Sequence, residues 1–564
     1  MTTIREMFEK TVSQFANEPA QIFFGENDQW ITRTYAKLRD RAVAVAGILQ
    51  NLGLEPAGNR VALILENRPE WQEIYLGMSS SGTVVIPIDP QLRLTEIAHI
   101  LKDSEATIII AAGKLKDLVL EAVRELSAPR HLIFVDKNEP AAQIDGRSIH
   151  SYESLVENGS RHLDKAMDWL RSRLPKPDDI ASIIYTSGTT GTPKGAMLSH
   201  NNFCSAVDGT LKSIRIFQKD QFFTVLPLFH SYSFTANFMV PIAVGAAMSF
   251  VRNLKTVADD MKVLKPSLLF TVPLMAEKMY DKAMAKVNAS LFAKCLLRVG
   301  LGRIIGRKII AGLGGNLRLI GVGGAPCPLA VSRGFTRLGI PILEGYGLTE
   351  CSPSVAYSDL GIWEPGTVGK VIPTMQWKLA DANEQGVGEL CVKGPNVMLG
   401  YYKRPEATAE IIDSDGYLHT GDLVSIDKKG LVRICGRRKA LIVNREGKNI
   451  YPEEVEQMLE KSPYIKDVIV LGYQIDNETG ERVGAIVTPN LDAIREALPQ
   501  IKLDDTAIRA FLQKSVARLS DMLAEYKRPR KIEVRMDSLE RTSTMKVKRG
   551  VYAGQLNESK KNKQ

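Results

Sequence analysis

The sequence predicts an α/β protein: a large N-terminal region of two α/β subdomains plus a β-rich subdomain, followed by a small, mobile α+β C-terminal domain. Three observations carry this. The 564 residues exceed what one hydrophobic core accommodates. Short β-branched runs alternate with helical-period segments through the first three hundred or so residues. Gly and Pro then become dense beyond residue 340, and a third pattern begins near residue 440.

Taken in order, the apolar runs are Val61–Leu65, Thr83–Ile88, Thr107–Ala111, Leu132–Val135, Ile180–Tyr185, Phe222–Leu226, Leu268–Val272 and Leu317–Val322. Runs this short, separated by helices, predict buried parallel strands. Glu389–Lys393 and Leu431–Cys435 predict strands of the β-rich part. Beyond Gly436–Ala440 come a helix over Pro452–Lys461, a strand at Val468–Leu471 and a turn at Asp476–Gly480. A strand at Val483–Val487 and an amphipathic helix near Asp504–Glu525 complete a module of ordinary domain size. The expected domains are therefore 1–436 and 437–564.

Composition narrows the class. Hydrophobic residues make up 44% and charged residues 24%, the balance of a soluble globular chain. The longest apolar run, Phe238 to Val251, is too short to span a bilayer and contains Pro241 and Gly245. Arg5, Glu6, Glu9 and Lys10 stand where a signal peptide needs apolar residues. The expected location is cytoplasmic, at most peripheral to a membrane. The six cysteines form no CxxC pair and the seven histidines no HExxH or other metal-ligand spacing, so neither disulfides nor structural zinc is expected.

The run Tyr185-Thr-Ser-Gly-Thr-Thr-Gly-Thr-Pro-Lys-Gly195 follows a predicted strand and is read as leading into a helix. Glycines allow a tight loop with bare N–H groups, the Ser and Thr hydroxyls add donors, and Lys194 adds a positive charge. This is the chemistry of a polyphosphate cradle. It is not a Walker A loop, because GxxxxGK[ST] is absent and Pro193 precedes the lysine.

At this loop the chain resembles the adenylate-forming superfamily. The family's other motifs follow in order: Pro227-Leu-Phe-His-Ser231, Gly323-Gly-Ala-Pro326, Glu344-Gly-Tyr-Gly-Leu-Thr-Glu350 and Tyr417-Leu-His-Thr-Gly-Asp422. Then come Gly436-Arg-Arg-Lys439, Gly447-Lys-Asn-Ile-Tyr-Pro-Glu-Glu-Val-Glu456 and Arg541-Thr-Ser-Thr-Met-Lys546. The segment Glu389 to Tyr401 is particularly similar to long-chain fatty acyl-CoA ligases.

The resemblance implies an enzyme that adenylates a medium- or long-chain fatty acid with ATP and then transfers the acyl group to coenzyme A. It assigns ATP or AMP binding to Thr186, Ser187, Gly188, Thr189, Thr190 and Lys194, to Gly323, Gly324, Ala325 and Pro326 as an adenine wall, and to Glu344, Gly345, Tyr346 and Gly347. Tyr346 would lie against adenine, Thr349 would bond the α-phosphate, and Glu350 would bind Mg²⁺, a cation that prefers oxygen ligands. Asp422 would hold the ribose hydroxyls and Arg437 the ribose or phosphate. Lys546 would neutralise charge developing at the α-phosphate, and His230 completes the catalytic set. Met545 replaces the family's usual glycine before that lysine. Lys439 marks the hinge, although Ala440 stands where an acidic residue is usual, and Gly447 would line the channel for the thiol.

No acidic residue follows His230 where amino-acid-activating relatives place one, which favours an apolar acid. Tyr232, Phe234 and Phe238 could wall an acyl tunnel or simply pack the core. Each buried methylene contributes about 0.8 kcal/mol, so such a tunnel needs few polar contacts. From Arg437 onward the chain holds 25 basic and 19 acidic residues within a total net charge of +9. That lobe suits coenzyme A, an acyl carrier protein, anionic lipid or plain solvent; no nucleic-acid partner is expected, and a homodimer is allowed. A carrier-protein-loading acyl ligase and a non-catalytic acyl or nucleotide sensor are the alternatives.

Overall fold

The computed structural model describes the chain except for residues 1–2, 26–28, 57, 137–140, 187–192, 360, 362, 447, 476–479, 499–503, 542–546 and 558–564. Two compact units emerge. The first holds most of the chain to Trp377 together with Val392–Leu418, and the second holds Lys378–Cys391 and the chain from His419.

The first unit contains two nine-stranded sheets. One runs in the order Gly400–Tyr401, Lys194–Ser199, Ile180–Thr186, Val84–Pro87, Arg60–Ile64, Ile108–Ala112, His131–Val135, Arg147–Ser151, Ala142–Ile144. The other runs Lys370–Val371, Ala356–Tyr357, Ile342–Tyr346, Leu319–Val322, Leu268–Thr271, Gln221–Thr224, Ala247–Phe250, Pro19–Phe24, Trp30–Thr34. All eight runs expected as parallel strands form, and each pairs in parallel with a sheet neighbour. Their side chains are buried on both faces, Ile64, Ile109 and Phe134 in one core and Phe223, Leu269 and Ile320 in the other. That is why they read as continuous apolar runs rather than alternating ones.

Helix Pro69–Ser80 is buried except at Glu70 and carries Trp71 and Tyr75, stacked with ring centroids 5.6 Å apart. Phe203, Phe234 and Phe238 complete an aromatic cluster around them. The apolar stretch 238–251 is three elements. A π-turn over Thr235–Met239 passes into helix Val240–Val244, which stops where Gly245 takes φ +75°, and strand Ala247–Phe250 follows.

The second unit is smaller. Its C-terminal sheet pairs Ile465–Tyr473 antiparallel with Arg482–Pro489, which pairs in parallel with Lys531–Val534. Helices Pro452–Leu459 and Asp505–Ser520 cover it, burying Val455, Leu459, Ile508, Leu512 and Val516 at helical spacing. The expected turn at Asp476–Gly480 falls, apart from Gly480, outside the described residues. Strands Val387–Lys393, Leu418–Ile426 and Val432–Arg437 belong with Gln376–Ala380 to a four-stranded sheet. No helix among the described residues is long and apolar enough to cross a membrane.

Candidate active site

The glycine-rich loop joins two strands, not a strand and a helix as its sequence suggested. Lys194–Ser199 returns antiparallel to Ile180–Thr186, with Lys194 opposite Thr186. The helix begins only at His200, where Ser199 and Asn202 form a capping box that fixes its start. Gly195 leaves no room for a Cβ, which would meet Ile183 and the Tyr185 ring. Ser187, Gly188, Thr189 and Thr190 lie outside the described residues, and Thr186 and Lys194 mark the two ends of the loop.

Around this hairpin the first unit assembles an oxygen-rich turn. Strand Ile342–Tyr346 ends in Tyr346, and the chain bends back through a short 3₁₀ segment, Thr349–Cys351, to pair Ala356 with Tyr346. The bend is tight enough that a Cβ on Gly347 would fall 1.4 Å from the Pro353 carbonyl oxygen, so only glycine fits there. The Asn396 amide donates to the Cys351 and Ser354 carbonyls at 2.9 and 2.7 Å, and the Thr235 hydroxyl donates to Ser352 at 2.9 Å. These bonds hold Thr349 and Glu350 in place from beneath.

Thr349 Oγ1 lies 2.9 Å from Ser231 Oγ. His230 caps the helix that Ser231 begins, its Nδ1 accepting from the Tyr232 N–H. Glu350 Oε1 accepts a 2.6 Å hydrogen bond from Tyr401, and Lys194 Nζ stands 5.4 Å from the Tyr401 ring centre. Burial, and then the charge of Glu350, push the Tyr401 phenol far above its ordinary pKa, so it remains a proton donor to the carboxylate. Met398 N–H donates to the Glu350 carbonyl from the segment that precedes this tyrosine. The sequence reading missed Tyr401 and Asn396. Both stand in the Glu389–Tyr401 segment singled out there, but only the pairing of Gly400–Tyr401 with Lys194–Ser199 shows what they reach.

Gly323 and Gly324 follow strand Leu319–Val322. Gly324 takes φ +84°, a left-handed conformation suited to glycine, and Ala325 and Pro326 are exposed. Glu344 is buried and accepts from Ser332 at 3.0 Å, and Gly345 packs against the Tyr357 ring. Tyr232 lies against Gly323, with its hydroxyl on the Thr271 carbonyl, whereas Phe234 and Phe238 sit in the fully buried aromatic cluster.

The second unit carries the other predicted residues. Asp422 and Arg437 face each other across paired strands and form an ion pair of 2.9 Å. Glu389 accepts from Arg438 at 2.7 Å, from His419 at 3.1 Å and from the Gly421 N–H at 2.9 Å. Burial raises its pKa, but those three donors outweigh burial and hold it below the usual carboxylate range. Cys391 also approaches His419, so the fold gathers a Glu, a Cys and a His within 4.8 Å although no sequence spacing announced them. Arg438 and Gly421 already engage the carboxylate, which makes this a charge network rather than an open ligand set. Lys439 is exposed in a 3₁₀ turn over Arg438–Ala440. Gly447 and Lys546 lie outside the described residues.

Residues 8–402 match the family of AMP-binding enzymes, and residues 454–546 match the AMP-binding enzyme C-terminal domain. The chain is 32% identical to a human protein, long-chain-fatty-acid–CoA ligase 6, covering 83% of this chain and 72% of that one. It is 31% identical to the long-chain-fatty-acid–CoA ligase of Salmonella typhimurium, over 96% and 93% of the two chains. Among solved structures it is similar to ATP-bound MatB from Rhodopseudomonas palustris, with a TM-score of 0.74, 25% identity and 98% of each chain covered.

Proposed function

This chain belongs to the AMP-binding enzymes of the adenylate-forming superfamily, close to the long-chain fatty acyl-CoA ligases, and from that premise we propose how its own residues divide the work. It is an ATP-dependent acid–thiol ligase. The carboxylate of an acid attacks the α-phosphorus of ATP, pyrophosphate leaves, and the thiol of coenzyme A then displaces AMP from the acyl carbon. The finer reading is a medium- or long-chain fatty acid, handled in the cytoplasm and peripherally at a membrane.

The observation that carries this reading is the turn of the first unit, where Thr349, Glu350, Tyr401 and Lys194 bring hydroxyls, a carboxylate and an ammonium together. Thr349 would hydrogen-bond the α-phosphate and Lys194 would meet the phosphate chain. Thr186 and the loop hydroxyls of Ser187, Thr189 and Thr190 would add donors. The donor set around Glu350 is all oxygen, which fits Mg²⁺. Bound there, the ion would neutralise phosphate charge. Tyr346 and the Gly323–Pro326 segment would enclose adenine, and Asp422 and Arg437 the ribose. Lys546 would stabilise charge at the α-phosphate during adenylation. The domain 437–564 would act as a lid turning about Lys439, and Gly447 would admit the pantetheine arm once the adenylate exists.

Pyrophosphate release across a panel of acids, with coenzyme A and holo carrier protein offered separately, tests the proposal. Release with fatty acids and thioester formation on coenzyme A are expected. Thioester only on the carrier protein would replace the acceptor, in keeping with the basic C-terminal lobe. Binding of acid or nucleotide without pyrophosphate would leave a sensor.

A further inference from the structure

Away from the site, the stretch from Pro273 to Gly312 has an unusual surface. It folds as helices Pro273–Asn288, Leu291–Arg298 and Gly302–Gly312. The middle helix buries none of its residues fully. Ala293, Leu296 and Leu297 pack against the core of the second sheet. At helical spacing this turns Leu291, Phe292, Cys295, Arg298 and Val299 outward as one stripe. Leu291 is 86% exposed, Phe292 69% and Val299 63%, and Leu301 and Ile304 continue the apolar surface into the next helix. Exposed apolar side chains grouped on one face mark an interaction surface.

The charge of the same stretch says what it meets. Pro273–Gly312 holds eight basic residues against two acidic ones, a net +6 in a chain whose total is +9. Lys278, Lys282 and Lys286 recur every fourth residue along one helix face, and Arg303 and Arg307 repeat that spacing. All eight except the half-buried Lys294 are exposed, and among the described residues no salt bridge is seen to any of them, though Lys282 acts at longer range on Asp259, which pairs with Lys262. Two copies meeting through this face would set like charges against each other. Apolar side chains rimmed by an excess of cations are what an interfacial helix offers to an anionic bilayer.

We infer that Pro273–Gly312 is the surface by which this protein docks on anionic phospholipid, with Leu291, Phe292 and Val299 entering the acyl boundary and the flanking lysines and arginines meeting headgroup phosphates. This deepens the peripheral placement proposed above and rests on it, not on catalysis.

Cosedimentation of the full chain with vesicles of phosphatidylcholine alone, and of phosphatidylcholine mixed with phosphatidylglycerol, provides the test. Binding is expected to the mixed vesicles and to fade as salt rises. Lys282→Glu with Lys286→Glu should weaken it by about thirtyfold or more, each lost cation counting about fivefold. Leu291→Ser with Phe292→Ser should release the protein from the mixed vesicles. All variants should keep pyrophosphate release in vesicle-free buffer, which also serves as the check on their folding. Equal binding to the two vesicle types, or unchanged binding by the variants, overturns the inference. So does a wild-type dimer in sedimentation that Phe292→Ser dissociates, since the face would then belong to a second copy. A wild-type chain that binds mixed vesicles but releases no pyrophosphate would sink the ligase reading and leave the docking surface standing.

Discussion

The turn from Tyr346 to Cys351 and the strand end from Gly436 to Ala440 both carry predicted site residues, and they are built in opposite ways. The turn is pinned from the inside by the Asn396 amide, the Thr235 hydroxyl and a glycine with no room for a Cβ. The strand end runs into a short 3₁₀ turn, where Arg437, Arg438 and Lys439 are exposed and ion pairs reach Asp422, Glu389 and Asp381. Buried hydrogen bonds hold the turn to one geometry, although Asn396 Oδ1 and Ser352 Oγ find no partner among the described residues, whereas ion pairs whose arginines are half exposed are weak and exchangeable. The difference fits the division of work proposed above, a preset turn and a strand end that would act as the hinge.

Five measurements break or sharpen that contrast. The largest effect is expected from Lys546→Ala. Adenylation should slow by about 10²–10³-fold, about 3–4 kcal/mol, while supplied acyl-adenylate is still converted by coenzyme A at a near wild-type rate. If both half-reactions fall together, the proposed lid has no separate task. Asn396→Ala comes next. It strips the amide from two buried carbonyls and should cost about 2–3 kcal/mol in thermal or denaturant unfolding, with adenylation lost alongside. An unchanged unfolding midpoint would mean that the turn is held by something else.

Tyr401→Phe removes one hydrogen bond to a charged group, worth about 1.5–2 kcal/mol. The Mg²⁺ concentration needed for half-maximal pyrophosphate release should rise roughly tenfold, and an unchanged requirement would take Tyr401 out of the site. The smallest effect belongs to Arg438→Ala, about 0.2–1 kcal/mol, because more than half of the arginine side chain is exposed. The Glu389 carboxyl that it engages has its pKa lowered by folding. The carboxylate's contribution is therefore complete above the unfolded value and disappears as pH falls through the lower folded one. Acid titration of the wild type against Glu389→Gln should show that acid-side loss shrinking in the variant.

Much of this was legible in the chain because parallel strands buried on both faces have no polar positions to confuse the pattern. The stretch 238–251 was not legible in detail. An apolar run carries no period when every face is buried, so only Gly245 signals that a short helix gives way to a strand. Strand Pro19–Phe24 and its antiparallel partner Trp30–Thr34 also escaped notice; the latter is partly exposed at the edge of the sheet and carries no apolar run. In the site, motif residues such as Thr349 and Glu350 announce themselves by local chemistry. Asn396 and Tyr401 reach their partners across 42 to 51 positions of sequence, and nothing local reports that.

The hairpin that carries the glycine-rich loop has one more consequence. Thr186 and Lys194 are ladder partners, so the seven residues between them form a ring closed by backbone hydrogen bonds. Closing a ring is an entropic matter that grows only logarithmically with size, and doubling its length would add about 0.6 kcal/mol. Folding therefore exerts little pressure on how long this ring is. Under the phosphate-binding role proposed above, lengthened or shortened loops become a means of retuning how the triphosphate is held while the sheet that carries them stays intact.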